Sequence, residues 1–384
     1  MNHPIPSPSV PRISVIIPAY NQARYVSQSI ESVLKQTFPE FELIVVDDGS
    51  TDETPQIIAS IQDPRMRVIR QPNAGLSAAR NTGLRASSSP LVTFLDADDY
   101  FLPDKLKVLN EFLEDHPEIG LVAGHPIYIN DAGDIVSRPP MSQTRLGLPE
   151  LLFENPICVS GILLRRVWLE RVGVFDETLR ACEDWDLWLR LLAAGCQMAW
   201  VEHYVVAYRV HPGQMTSQAG RMRKAIFTTL DKFFSQQVAE NWMDKKSAAY
   251  ALALVHSAAY AYLANEFDQA KRDLAEAMRL DSTLRDNRYK KLVRMLVAWS
   301  NDPRAIEPTL FLQRIIANLP PHHSGLGVQL RRAMADAFLA PFFKGSREMW
   351  RARRGDLLKA ILYKPDWLLN RGVLRMLASA WLGI

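Results

Sequence analysis

The first folded stretch is a nearly unbroken apolar run, Ile13-Ser14-Val15-Ile16-Ile17. A run without polar alternation fits a central parallel strand covered on both faces. It ends in the turn Pro18-Ala19-Tyr20-Asn21, after which Tyr25, Ile30, Val33 and Leu34 recur at helical spacing. Phe41 to Val46 predicts a second strand, closed by the polar cluster Asp47 to Asp52, where Ser50 or Thr51 can cap a helix carrying Ile57, Ile58 and Ile61. Met66 to Ile69 predicts a third strand, and Asn73 to Gly83 a helix with glycine near each end. Leu91 to Leu95 is a fourth strand that runs straight into Asp96-Ala97-Asp98-Asp99. Asp99 is placed to cap the following helix, which Pro103 helps begin. Strand and helix alternating at this density predict a parallel α/β sheet with right-handed crossovers.

Past this point the pattern loosens. Phe112 to Ala123 predicts a helix and then a strand, which His125 to Asn130 continues before the hairpin-type turn Asp131 to Asp134. Residues 137–149, rich in Pro, Ser and Gln, predict a mobile loop beside a binding site. Leu187, Trp188 and Leu191 mark the buried face of a helix, with Glu183 and Asp184 at its N-terminus. Strands follow at Met198 to Val201 and Val205 to His211. From residue 221 onward the chain has almost no strand signal and reads as helical.

Composition changes this picture in two places. The 384 residues, 48% apolar and 23% charged, have room for two domains, after a flexible tail at 1–11. Charge separates them: residues 1–220 hold 18 Lys and Arg against 27 Asp and Glu, whereas residues 221–384 hold 27 against 15. A basic helical half admits contact with anionic headgroups, and solvated helix faces account for the same count. Cys158, Cys182 and Cys196 form no metal spacing, and the start has no charged-then-apolar export pattern, so reduced thiols and a cytoplasmic setting, with peripheral contact at the inner membrane face, are expected. No G-x-G-x-x-G follows a strand and no P-loop pattern occurs, which removes dinucleotide and P-loop sites. Nothing in the pattern points to nucleic acid.

The chemistry gathers at two acidic hotspots. Ligands of open α/β sheets collect outside the carboxyl ends of strands, where Asp96, Asp98 and Asp99 stand. Carboxylates crowded there repel one another unless a cation is shared, and oxygen ligands suit Mg²⁺ or Mn²⁺ completed by substrate phosphates. The second hotspot is Cys182-Glu183-Asp184-Trp185-Asp186, where the helix dipole favours ionised carboxylates.

Taken in order, Val15 to Asn21, Val45 to Asp52, Gly75 to Asn81 and Asp96 to Asp99 resemble the motifs of the family 2 glycosyltransferases of the GT-A fold. The resemblance implies a GT-A catalytic domain over 12–220 with a mostly parallel central sheet, followed by an all-α domain over 221–384. In the latter, Ala258 to Asp281 resembles one tetratricopeptide-type hairpin, with a partial copy at Arg354 to Pro365. The resemblance further implies that Pro18, Tyr20, Asp48, Arg80 and Asp96 bind the donor nucleotide, while Asp47 turns inward to hold its loop. Asp98 would be the closest protein ligand of the metal, with His211 of the Tyr208-Arg209-Val210-His211 segment as a further ligand. Asp184 resembles the general base, and Glu183 and Asp186 would position the loop or bind acceptor hydroxyls.

The implied activity is metal-dependent, inverting transfer of a sugar from a nucleotide-diphosphate donor, UDP-linked by expectation, to a saccharide or lipid-linked saccharide in cell-surface polysaccharide or glycoconjugate synthesis. The Q-x-x-R-W segment of processive synthases is absent, which favours single-sugar transfer. A sugar nucleotidyltransferase would need a Gly-rich triphosphate loop where Pro18-Ala19-Tyr20-Asn21-Gln22 stands. A non-catalytic module that binds sugar nucleotides is the remaining alternative.

Overall fold

The computed structural model describes residues 11–141, 145–305, 307–339, 342–344 and 346–382. The chain forms two compact units. One reaches to Met215 and takes in Arg221–Asp244; the other holds Thr216–Gly220 and the segment from Lys245 onward.

The first unit is built on one sheet. Its strands are β1 (Ile13–Ala19), β2 (Phe41–Asp47), β3 (Met66–Arg70), β4 (Leu91–Phe94), β5 (Tyr100–Phe101), β6 (Ile119–Ile129), β7 (Ile135–Ser137), β8 (Arg145–Leu146), β9 (Ile162–Arg165) and β10 (Gln197–Arg209). The main order is β3-β2-β1-β4-β9-β6-β10-β5, with β7 on β6 and β8 on β10. Pairing is parallel from β3 through β4; β1, β2 and β4 are largely apolar runs, as suits strands covered on both faces, and β3 is a half-exposed edge strand. It turns antiparallel on both sides of β9 and returns to parallel between β6 and β10, so the sheet is mixed.

Helices α1 (Val26–Leu34), α2 (Thr54–Ser60), α3 (Leu76–Ala86), α4 (Lys105–Asp115), α5 (Leu148–Phe153), α6 (Arg166–Val172) and α7 (Glu183–Ala193) connect these strands. Ile13, Val15 and Ile17 of β1 pack with Val26, Ile30 and Val33 of α1 and with Leu106 and Leu109 of α4, all buried. Two departures from expectation have local causes. The two strands expected at 198–201 and 205–211 are the single strand β10, whose register against β6 shifts between Trp200 and Val206, so a period-2 reading breaks there. The segment expected as a loop over 137–149 carries β8 on β10 and the start of α5, while residues 142–144 lie outside the described residues.

Helix α8 (Ala219–Phe234) shows why the first unit runs past residue 220. Its Lys232 Nζ meets Asp176 Oδ2 at 2.6 Å and Asp186 Oδ1 at 2.7 Å. Leu230 and Phe233 are buried on the same helix.

The second unit is helical: α9 (Lys246–Leu263), α10 (Phe267–Leu280), α11 (Asp286–Ser300), α12 (Pro308–Ala317), α13 (Ser324–Leu339), α14 (Arg347–Ala352), α15 (Arg354–Tyr363) and α16 (Arg371–Leu382). The hairpin expected from Ala258 to Asp281 is the α9–α10 pair, joined across its interior by the Ser257 hydroxyl donating to Asp273 Oδ2 at 2.6 Å. Among the described residues no helix is long and apolar enough to cross a membrane.

Candidate active site

The carboxyl ends of β1, β2 and β4 carry the expected nucleotide and metal residues, and the backbone there is locked by side chains. Asn21, at φ 53°, sends its N–H to Ser50 Oγ at 3.0 Å and accepts from the Thr51 N–H at 2.8 Å. The loops after β1 and β2 are thus one piece. Pro18 is buried in β1, whereas Tyr20 is 47% exposed and offers an aromatic face at the strand end. Asp47 turns inward, accepting from the Ser50 N–H at 2.9 Å and meeting Arg70 Nε at 3.2 Å.

Asp48 is also buried. Its carboxylate accepts from Gln71 Nε2 at 2.7 Å, the Ala74 N–H at 3.0 Å and the Gly75 N–H at 2.8 Å. An ionised carboxylate has about four acceptor directions, so three go to shaping the entrance to α3 and one is left for a ligand. Gly49 and Gly75, at φ +76° and +98°, make that cradle possible, because a Cβ on Gly49 would lie 2.7 Å from the Asn73 backbone nitrogen.

Arg80 takes a more structural position than the resemblance implies. Only 1% exposed, it donates from Nη2 to Asp96 Oδ1 at 2.6 Å and from Nη1 to Glu183 Oε1 at 2.5 Å, with its guanidinium 5.2 Å from the Phe175 ring centre. Burial alone would weaken its charge, but the two carboxylates outweigh that and raise its pKa further. This strut joins the two acidic hotspots, which the sequence holds far apart. Asn81, one residue on, fastens the same helix to the following loop through Phe175 and Glu177.

The Asp96–Asp99 turn is held from below. Ser160 Oγ donates to Asp99 Oδ2 at 3.0 Å and accepts from the Asp96 N–H at 3.1 Å. The Asp99 carboxylate also takes the Arg209 backbone N–H at 2.9 Å, so Asp99 clasps β10, and α4 starts without it at Lys105. Burial first, then the charges of Asp98 and Asp96, push the Asp99 carboxyl well above the usual range. Arg209, 2% exposed, donates from Nε to the Asp98 carbonyl at 2.9 Å, and its ring neighbour is Tyr25 at 4.7 Å. Lys105 is fully buried, donating to Thr93 Oγ1 at 2.8 Å and the Ser160 carbonyl at 2.7 Å over the Phe101 ring. Its burial holds its pKa well below that of a free lysine.

His211 and Asp98 meet, Nε2 to Oδ2 at 3.1 Å. No group of three or more His, Cys, Asp or Glu side chains converges as a metal centre among the described residues. A carboxylate and an imidazole beside a second carboxylate, Asp96, still fit a divalent ion that draws its other ligands from phosphate and water.

At the second hotspot Cys182 adopts a left-handed conformation, φ 57°, and α7 begins immediately after it. Asp184 accepts from Asn155 Nδ2 at 3.1 Å and from the Trp185 N–H at 2.7 Å. Burial and the neighbouring Glu183 charge, opposed by Arg80, push its carboxyl up to about 7. Asp186 is buried and paired with Arg190 at 2.9 Å and Lys232 at 2.7 Å, which braces α7 against α8.

Ser160, Lys105 and Arg209 were not singled out from sequence. One signal was available: a lysine in the first turn of α4 opposes the helix dipole, which marks a tertiary role.

The fold is of the GT-A type, and residues 14–173 match the model of glycosyl transferase family 2. The chain belongs to that family. An uncharacterized glycosyltransferase of Haemophilus influenzae is 31% identical over 224 residues, 57% of this chain and 87% of that protein. One of Rickettsia felis is 32% identical over 184 residues, 47% of this chain; there the chain spans only 30% of the relative's length. Among solved structures, mannosyltransferase PcManGT from Pyrobaculum calidifontis, in complex with GDP-Man and Mn²⁺, superposes with a TM-score of 0.50 at 18% identity, covering 80% of this chain and 87% of the other.

Proposed function

We propose that the chain transfers a sugar, with inversion, from a nucleotide-diphosphate sugar to a hydroxyl of a saccharide or lipid-linked saccharide. The observation that carries this reading is the Arg80 strut: one buried guanidinium binds Asp96 of the first hotspot and Glu183 of the second. That shared partner brings the two acidic segments together, and in this reading donor and acceptor meet between them.

In this reading Tyr20 stacks on the base and Asp48 accepts from its ring N–H with the acceptor direction left free. Asp98 and His211 would hold Mg²⁺ or Mn²⁺, which supplies charge neutralisation on the departing diphosphate. Asp96 stands beside them for the ribose. Asp184 takes the proton of the attacking hydroxyl, and a carboxyl poised near neutrality suits that task. Its partner Asn155 fixes the orientation. UDP-sugars are the first donors to try, with GDP-mannose next because the Pyrobaculum neighbour holds it.

Asp184→Asn tests the assignment. Expected is a loss of transfer of at least about a hundredfold with donor binding unchanged. Wild-type transfer is expected to climb with pH through about 7, as the base ionises. An Asp184→Asn protein as active as the wild type overturns Asp184 as base.

A further inference from the structure

The second unit ends in a surface that its own packing does not use. On α16, Val373, Met376 and Ala380 are buried and hold the helix to its unit. The opposite face presents Arg371, Leu374, Arg375 and Trp381 within one arc, with Leu374 45% and Trp381 43% exposed. Just before it, the short 3-10 turn Pro365–Leu369 finishes on Leu368 and Leu369, 44% and 87% exposed. On α15, Leu358 and Leu362 are one turn apart and 52% and 76% exposed. Isolated exposed leucines are ordinary, but six large apolar side chains projecting from one short segment are not.

The charge around them selects the partner. Residues 346–382 contain eight Lys and Arg against three Asp and Glu. Lys364 and Arg353 are spent on Asp336 and Asp356, at 2.8 and 2.9 Å. Arg371 and Arg375, exposed beside the leucines, are in no ion pair among the described residues. Apolar side chains flanked by unspent guanidinium groups match the boundary of an anionic bilayer, where the leucines enter the acyl region and the arginines stay with the headgroups. Since no described helix can span a bilayer, the contact lies in the interface plane.

We propose that Leu362, Leu368, Leu369, Leu374 and Trp381, with Arg371 and Arg375, dock this chain on an anionic lipid surface. The inference stands apart from the transferase reading, because it needs no donor and no metal.

The test is co-sedimentation of the whole chain with phosphatidylcholine vesicles, with and without phosphatidylglycerol. Binding is expected to the anionic vesicles only, to weaken with added salt, and to shift the tryptophan emission to the blue. Arg371→Gln with Arg375→Gln is expected to lower partitioning about thirtyfold, at roughly a factor of five per charge. Leu368→Ser with Leu369→Ser is expected to lower it at least as far, and both pairs should melt like the wild type because the sites are exposed. If the leucine pair unfolds the protein, the arginine pair decides. Equal binding to neutral vesicles, no binding to anionic ones, or unchanged binding by the arginine pair overturns the proposal. Light scattering that shows a dimer dispersed by the leucine pair would assign the surface to a second copy and also overturn it.

Discussion

Replacing Arg80 with Met removes the guanidinium that joins the two hotspots while keeping an aliphatic stem of similar bulk. The wild-type side chain is 1% exposed and serves two carboxylates at 2.6 and 2.5 Å. Its loss strands Glu183, whose side chain is 6% exposed, and leaves Asp96, at 27%, to turn toward water. Removing one partner of a buried ion pair costs about 3–5 kcal/mol. Because Asp96 regains solvent, the lower end applies, about 3 kcal/mol. A unit of this size loses about 2–4 °C of melting temperature per kcal/mol, so the transition should fall by roughly 10 °C. The measurement is scanning calorimetry without nucleotide, which separates the strut from any donor contact. Glu183→Gln keeps an acceptor for Nη1 and should cost no more than about 1–2 kcal/mol. Pairing Arg80→Met with Glu183→Leu should return part of the loss, since no buried charge then remains on that side. An Arg80→Met protein that melts within about 2 °C of the wild type would refute the strut, and with it the convergence of the hotspots.

Three further outcomes follow from the same contacts. Lys232→Met should weaken the first unit by about 1–2 kcal/mol near neutrality: although burial opposes ionisation of Asp176, hydrogen bonds from Lys232 and Thr178 lower its pKa to about 2. Because that folded value lies below the unfolded one, the wild-type contribution is full above about pH 4 and disappears as pH falls through about 2; acid titration of the two proteins should show their curves meeting there, and a constant gap would reject the pairing. Gly49→Ala forces a Cβ against the Asn73 backbone at a positive φ, and should cost about 2 kcal/mol together with nucleotide affinity, read by urea unfolding and by calorimetric titration. Lys105→Met fits the buried volume but takes the donor from the Ser160 carbonyl, while Thr93 Oγ1 keeps its bond to the Ile162 carbonyl, so about 1–3 kcal/mol should be lost; a stabilised variant would show that the lysine is tolerated, not needed.

The parallel half of the sheet was legible because its strands are continuous apolar runs ending in polar turns, and the order of carboxylates along them survives into the structure. Asp47 is turned inward as its position beside Asp48 suggested. What the linear pattern hid are the long-range partners. The antiparallel insertion of β9 depends on pairing with Leu91 and Val92 on one side and Leu121 to Ala123 on the other, which no local period reports. The resemblance implies a nucleotide-binding Arg80, and only the approach of residue 183 shows it buried between two carboxylates. Asp99 read as a helix cap because Pro103 follows closely, yet Ser160 and the Arg209 amide take its oxygens. Asp186 sits in a helical first turn like its neighbours, and only the arrival of Lys232 shows that it faces inward.

The clasp between Asp99 and the Arg209 amide has a consequence for how the molecule is made. Strands β1 to β4 leave the ribosome first, but the turn that presents Asp96 and Asp98 is closed by an amide more than a hundred residues later, and Lys232 fastens the α7 side later still. A nascent chain or a shortened version that stops inside β10 has the Ser160 contacts of this turn but lacks the Arg209 amide and Lys232. The turn and the α7 side should therefore be fully fastened only after residue 232 has been added.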